Sequence, residues 1–342
     1  MKKLLNTLFV TSEDIYLSLD GENVVANQNG KEVARYPLHT LSSIISFSYA
    51  GASPALMGKC AERGISLAFC TPRGRFLARA NGESNGNVLL RRQQYRAADD
   101  VFESARIAKN MILGKLYNSR WSLERSKRDH SLRVSECVKT ASDKLYELMG
   151  MLKEETTLDS IRGLEGVGAS VYFDVFNEMI LNDKEFFKFE GRSRRPPRDA
   201  VNAMLSFAYS LLTNDCAAAL ESVGLDSYVG FMHRDRPGRE SLALDLMEEL
   251  RPCMADRFVI TLINNRRISR NDFEIHESGA VFLSKDGRRI FLKAWQEKKQ
   301  EMLTHPYLNE KMQWGMVPYV QALLLSRLLR GDIEAYPPFM WK

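Results

Sequence analysis

The chain has 342 residues, 44% apolar and 27% charged, a composition ordinary for a soluble globular protein and long enough for two domains with a substantial core. Its 48 Lys and Arg against 43 Asp and Glu leave a formal charge of +5, too mild for a basic-tail nucleic-acid binder, so any nucleic-acid role must rest on where the charge sits. Five widely spaced cysteines with no Cys-x-x-Cys pair argue against a disulfide framework and a zinc site, and with no apolar run of membrane-spanning length and no cleavable leader pattern the expected location is the cytoplasm.

Residues 1–80 are predicted to be strand-rich, with apolar, β-branched and aromatic runs at 7–10, 15–19, 23–26, 33–36, 43–47, 65–70 and 75–79. Asn29-Gly30 between two short runs is a hairpin signal. Ser53, Pro54 and Gly64 supply the N-cap, first position and stop of one embedded helix. The expected product is a small β-sandwich. Polar, Gly-rich residues within 81–90 read as a linker, and 91–342 as a larger, mostly α-helical domain. Helical spacing of apolar residues appears at 88–129, 132–153, 165–182, 199–222, 240–250 and 310–331. A short strand pair is expected within 272–292, Val281–Leu283 and Ile290–Leu292 flanking Asp286-Gly287. The fold class is therefore α+β.

The stretch from Tyr228 to Arg257 carries the most chemistry. His233 precedes a predicted helix bearing Asp245 and Glu248, three residues apart and so on one helix face. Leu242, Ala243, Leu246, Met247 and Leu250 fill the apolar arc, with Asp245, Glu248 and Glu249 on the other side. Such an acidic face is ordinarily just solvated. Imidazole and carboxylate together are also ligands for Mg²⁺ or Mn²⁺. The other histidines carry less: His276 and His305 lack carboxylate pairs of comparable spacing, and Gly166 and Gly168 are not followed by the Gly-Lys-Ser/Thr of a phosphate loop.

Basic residues cluster at 91–129, 188–198 and 285–299. Solvated helix faces account for the first and third. In the second, Pro196 and Pro197 forbid regular helix and hold Arg192, Arg194 and Arg195 on a stiff loop. Arginine's planar fork pairs with phosphate oxygens two at a time, so these three are candidate DNA-backbone contacts. Arg236, Arg239 and Arg251, around the candidate ligands, join them as DNA-binding candidates.

Gly230-Phe231-Met232-His233, Arg236-Pro237-Gly238-Arg239 and Ser241 through Glu248 resemble the signature of the CRISPR-associated spacer-acquisition integrase family, the Cas one proteins. Glu165-Gly166 with Ala169 and Tyr172 resembles the family's upstream metal-ligand helix, and Arg192 through Pro197 with Asp199, Asn202 and Tyr209 its Arg-Pro-Pro segment. The likeness spans nearly the whole chain and is similar in flavour to the type I-C branch. The resemblance implies Glu165, His233 and Glu248 as metal ligands, with Asp245 as a supporting acid whose place, second ligand, outer-shell partner or helix-face acid, stays open. It also implies a homodimer, made largely through the β domain, docked on a small ferredoxin-like partner dimer (Cas two) in a heterohexamer. The implied chemistry is metal-assisted joining of the 3′-OH ends of short DNA fragments to the repeat boundary of a CRISPR array. A repair nuclease for branched DNA and a non-catalytic DNA-binding scaffold remain alternatives. On this reading the clustered acids repel one another, so removing one is expected to leave metal-free stability unchanged or slightly raised.

Overall fold

The computed structural model describes residues 6–80, 82, 88–129, 136–193 and 195–342; most of the predicted linker and Arg194 lie outside them. The chain divides into two compact units, Met1–Asn85 with Leu283–Glu301, and Gly86–Phe282 with Met302–Lys342.

The first unit begins with β1 (Thr7–Val10), β2 (Ile15–Asp20), β3 (Asn23–Gln28), β4 (Lys31–Pro37) and β5 (Ser43–Ser46), followed by α1 (Pro54–Glu62), β6 (Ser66–Cys70) and β7 (Phe76–Ala80). β2, β3 and β4 form an antiparallel sheet; β1, β5 and β6 pair in parallel, with β7 antiparallel at the edge. Asn29 and Gly30 both take positive φ, 51° and 76°, as a two-residue hairpin turn of the primed type requires. The Ser53 side chain accepts from the Leu56 N–H at 3.2 Å and starts α1. Leu17 and Val24 from one sheet, Ile44 and Leu67 from the other, and Leu56 of α1 share one core.

The second unit is helical: α2 (Val88–Asp99), α3 (Val101–Asp129), α4 (Glu136–Glu154), α5 (Leu158–Asp174), α6 (Ala200–Ser222), α7 (Ser241–Glu248) and α8 (Arg257–Asn264). α3 packs against α4, α5 and α7, and α6 against α7. α6 is apolar almost all round and correspondingly buried. The run predicted at 88–129 is broken at Asp100, whose carboxylate accepts from the N–H groups of Phe102 and Glu103 at 2.8 and 3.2 Å and caps a new helix. The helix predicted from 165 begins at Leu158, because Thr157 caps it. The helix predicted to stop at 250 runs on through a π-helical segment, Arg251–Asp256, into α8. Pro252 stands in the first turn of that segment, where its missing N–H costs little.

β8 (Phe273–Ile275) and β9 (Val281–Leu283) form the late strand pair. The partner expected at 290–292 is instead inside a helix, α9 (Lys285–Gln300). Ser284 caps it, accepting from the Gly287 N–H at 3.1 Å, and Phe291, Leu292 and Trp295 fill its buried face at helical spacing. α9 belongs to the first unit, where Lys299 Nζ reaches Thr7 Oγ1 at 3.5 Å. The predicted division into 1–80 and 91–342 therefore misses a return of the chain to the β-rich unit. The chain ends with β10 (Met302–Thr304), β11 (Lys311–Gln313) and α10 (Val317–Leu329).

Candidate active site

Asp245 and Glu248 of α7, and Glu249 just past its end, lie opposite the apolar arc, as the sequence pattern requires, yet they do not face water. Asp245, Glu248 and Glu249 are 1%, 2% and 0% exposed. A helix buried on both sides must satisfy its carboxylates internally, and the three do so differently.

Asp245 organises the His233 loop. Its Oδ2 accepts from the N–H groups of Phe231 and Met232 at 2.6 and 3.0 Å, and its Oδ1 from the N–H of His233 at 3.0 Å. The same Oδ1 lies 2.5 Å from His233 Nδ1. A carboxylate so placed fixes the proton on Nδ1 and leaves Nε2 with its lone pair. Nε2 stands 3.9 Å from Glu248 Oε1. Gly230 is required here, since a Cβ would lie 2.7 Å from Asp245 Oδ2 and 2.9 Å from the Ser241 carbonyl carbon. From α5, Arg162 clamps the other side of the loop, donating to the Met232 carbonyl from Nε and a terminal nitrogen at 2.9 and 2.6 Å. Asp245 is thus the orienting partner of His233 rather than a side chain open to a ligand of its own.

Glu165 of α5 and Glu248 of α7 meet on Lys115 of α3. The Lys115 ammonium is hydrogen-bonded to Glu165 Oε1 and lies 2.6 Å from Glu248 Oε2. The latter is an ion pair without hydrogen-bond alignment, so Glu248 Oε2 is buried with no hydrogen bond. Glu248 Oε1 pairs with Arg251 at 3.0 Å. Burial alone would push the Glu248 carboxyl up; the charges of Arg251 and Lys115 prevail and hold it below the ordinary carboxylate range. Glu165, His233 and Glu248, distant in sequence, are therefore neighbours. Among the described residues no three His, Cys, Asp or Glu side chains are grouped so as to hold a metal ion, and the ammonium of Lys115 stands between Glu165 and Glu248. The donor set nonetheless fits a divalent ion: two carboxylates, one with a buried unbonded oxygen, and an imidazole with a fixed tautomer.

Glu249 is structural. It accepts from the Phe339 N–H at 2.8 Å and from Gln321 at 2.9 Å, and it bonds the Tyr336 hydroxyl. Burial pushes its carboxyl up to about 7.

The arginines divide into two groups. Arg195 and Arg236 are exposed. Arg192 turns inward: it donates to Asn202 Oδ1 at 2.7 Å and lies over the rings of Tyr209 and Phe173, 5.1 and 6.0 Å from their centroids. Arg251 covers Tyr209 as well, at 5.0 Å, and Arg239 is half-buried. Arg192 and Arg251 are thus part of the floor of the site, not members of an outer phosphate grip. The Tyr209 hydroxyl donates to Asp256 Oδ1 at 2.6 Å, and burial raises the Asp256 carboxyl to about 6. The sequence reading passed over Lys115, Arg162 and Asp256. Lys115 had one available signal, a lysine among the small and apolar residues of a buried helical stretch.

Helices presenting acids and a histidine into one site, in a chain that also carries a separate strand-rich unit, define an architecture already known. A casposase bound to integration product superposes with a TM-score of 0.85 at 23% identity, covering 99% of this chain and 95% of that one. A Cas1 protein from Thermotoga maritima does so with a TM-score of 0.82 at 19% identity, covering 97% and 99%. The family model described as CRISPR associated protein Cas1 matches residues 8–297. Proteins named CRISPR-associated endonuclease Cas1 from Chlorobaculum tepidum and Rhodospirillum rubrum are 48% and 49% identical over all of this chain and all of their own lengths. The chain belongs to the Cas1 family of CRISPR-associated proteins.

Proposed function

We propose that this chain is a divalent-metal-dependent DNA endonuclease and integrase of CRISPR adaptation. It joins the 3′-OH ends of short DNA fragments to the repeat boundary of a CRISPR array by transesterification. The observation that carries this reading is that Glu165, through Lys115, and His233, both half-buried, flank the buried Glu248. Those three side chains would hold Mg²⁺ or Mn²⁺, the imidazole favouring Mn²⁺ in vitro. When bound, the ion supplies Lewis acidity at the scissile phosphate and a lowered pKa for the attacking hydroxyl.

The chain's own residues do the positioning. Asp245 holds His233 in the tautomer that presents the Nε2 lone pair. Arg251 orients Glu248 through its Oε1. Arg195 and Arg236, exposed on their loops, meet the DNA backbone. In the joining step the P–O bond to the fragment's 3′ oxygen forms as the P–O bond within the repeat strand breaks. The hydroxyl proton passes to solvent, and the repeat strand leaves with a free 3′-OH. The homodimer through the β-rich unit, and the docking on a small ferredoxin-like Cas two dimer, are carried over from the family likeness. A cytoplasmic location rests on the spacing of the five cysteines, which includes no Cys-x-x-Cys pair.

The test is incubation of a labelled fragment with a repeat-bearing plasmid and Mn²⁺. Joined product that disappears in Glu165→Ala is the expected result. Cleavage of branched DNA without joining would assign the repair-nuclease role instead. Full function retained by Glu165→Ala would leave only a DNA-binding scaffold.

A further inference from the structure

We infer that Lys115 is an internal placeholder cation for the metal site, displaced when the ion binds and received by an adjoining cavity. The inference rests on the metal-site reading above and extends it to a residue of a different helix. The Lys115 side chain is only 8% exposed, and its ammonium sits on Glu165 and Glu248 together. These are two of the three side chains assigned to the ion. With Arg251 on Glu248 as well, the two carboxylates are balanced by an ammonium and a guanidinium, so the pair can stay buried in the metal-free protein. A divalent ion and an ammonium cannot both occupy the carboxylate oxygens, because like charges at contact distance repel strongly in a buried site.

The structure also offers the ammonium somewhere to go. A cavity of about 20 Å³ beside the site is lined by, among others, Lys115, Tyr172, Arg192, Tyr209, Arg251 and Asp256. A volume of that size holds about one water. Asp256 brings a carboxylate to the same cavity, already bonded by Tyr209 through Oδ1. The flexible four-carbon stem of lysine permits such a swing where a guanidinium fork would not. Gly114, next to Lys115, fixes where the stem starts. A Cβ there would lie 2.9 Å from Glu249 Cβ and 3.2 Å from Pro338 Cβ, so α3 lies hard against the helix that carries Glu248.

The measurement is Mn²⁺ titration by calorimetry on the full chain, beside melting curves without and with Mn²⁺. Lys115→Met removes the competitor and keeps the stem's bulk. It should bind Mn²⁺ at least about tenfold tighter than the wild type, and melt lower without metal, with most of the loss restored when Mn²⁺ is added. Lys115→Arg keeps the charge and should bind Mn²⁺ no better than the wild type; should Lys115→Met fail to fold, the same comparison is made with Lys115→Gln. Asp256→Asn, which removes the receiving charge, should weaken Mn²⁺ binding. Equal or weaker binding by the Lys115→Met or Lys115→Gln variant, with wild-type binding intact and abolished by Glu248→Ala, overturns the placeholder role alone. No Mn²⁺ binding by the wild type or any Lys115 variant overturns the metal-site reading and this inference with it.

Discussion

His233 Nδ1 lies 2.5 Å from Asp245 Oδ1, and that carboxylate also accepts the backbone N–H groups of residues 231, 232 and 233. Asp245 therefore sets both the path of the loop and the face that the imidazole turns toward Glu248. The i, i+3 spacing of Asp245 and Glu248 acquires a meaning that spacing alone does not give. One acid orients the imidazole; in the proposed reading the other would share an ion with it.

Asp245→Asn should separate these roles. The amide keeps one oxygen for the loop N–H groups but presents its NH₂ group to a neighbour that also donates. Loss of an orienting partner typically costs about 10- to 100-fold in metal affinity or activity. We predict that loss in Mn²⁺ titration, together with roughly 1–3 kcal/mol of stability from a buried donor left unpaired. Unchanged Mn²⁺ affinity at unchanged stability would remove the orienting role.

Ala at Glu165, His233 or Glu248 should abolish joining of fragment to repeat. The sequence reading, treating the acids as mutually repelling, expected metal-free stability to hold or rise. The structure reverses that expectation for Glu248, because Lys115 and Arg251 already compensate it. Glu248→Ala leaves both cations short of a buried partner and should cost about 3–5 kcal/mol, read from denaturant melts without metal. Stability equal to the wild type would mean that the ammonium is not held there.

How far the sequence reveals this site depends on what kind of contact each residue makes. Gly230 and His233, with Asp245 and Glu248, form a local string because a loop and the helix after it build one half of the centre. Lys115 comes from a helix whose basic residues otherwise resemble a solvated face, and only the packing of α3 against α5 and α7 shows its role. Arg192 read as a surface grip because its neighbours are prolines and arginines; its stacking on Tyr209 is tertiary. In the fold, strands and caps in the first unit were legible from turn residues. The helix at Lys285–Gln300 was not, because Asp286-Gly287 resembles a hairpin turn while serving as the first turn of a helix capped by Ser284.

Asp256 gives a pH dependence of defined sign. Burial raises its carboxyl from 3.8 to about 6 in the folded protein, so between those values the folded state binds more protons than the unfolded chain. Its contribution to stability is therefore present below about pH 4 and lost as the pH rises through about 6, a change of roughly 3 kcal/mol. Asp256→Asn keeps an acceptor for the Tyr209 hydroxyl and removes the titration. The stability difference between variant and wild type should grow in the variant's favour from pH 4 to pH 7, and a difference constant across that range would show that the carboxyl titrates normally.

The arginine loop gives the last prediction, and the structure splits it in two. Arg195 is exposed, while Arg192 lies over Tyr209 and Phe173 and bonds Asn202. A phosphate contact releases counterions, so losing one changes the slope of log affinity against log salt by about 0.9 on duplex DNA. Arg195→Ala should lower that slope by about one and leave the melting curve unchanged. Arg192→Ala should behave in the opposite way. It should lower the melting temperature through loss of stacking and of one of the two hydrogen bonds to the Asn202 oxygen, with the slope little altered. Salt titrations of binding run beside melting curves read both quantities. A slope that falls for Arg192→Ala and holds for Arg195→Ala would mean that the inward arginine swings out to meet DNA and the exposed one does not.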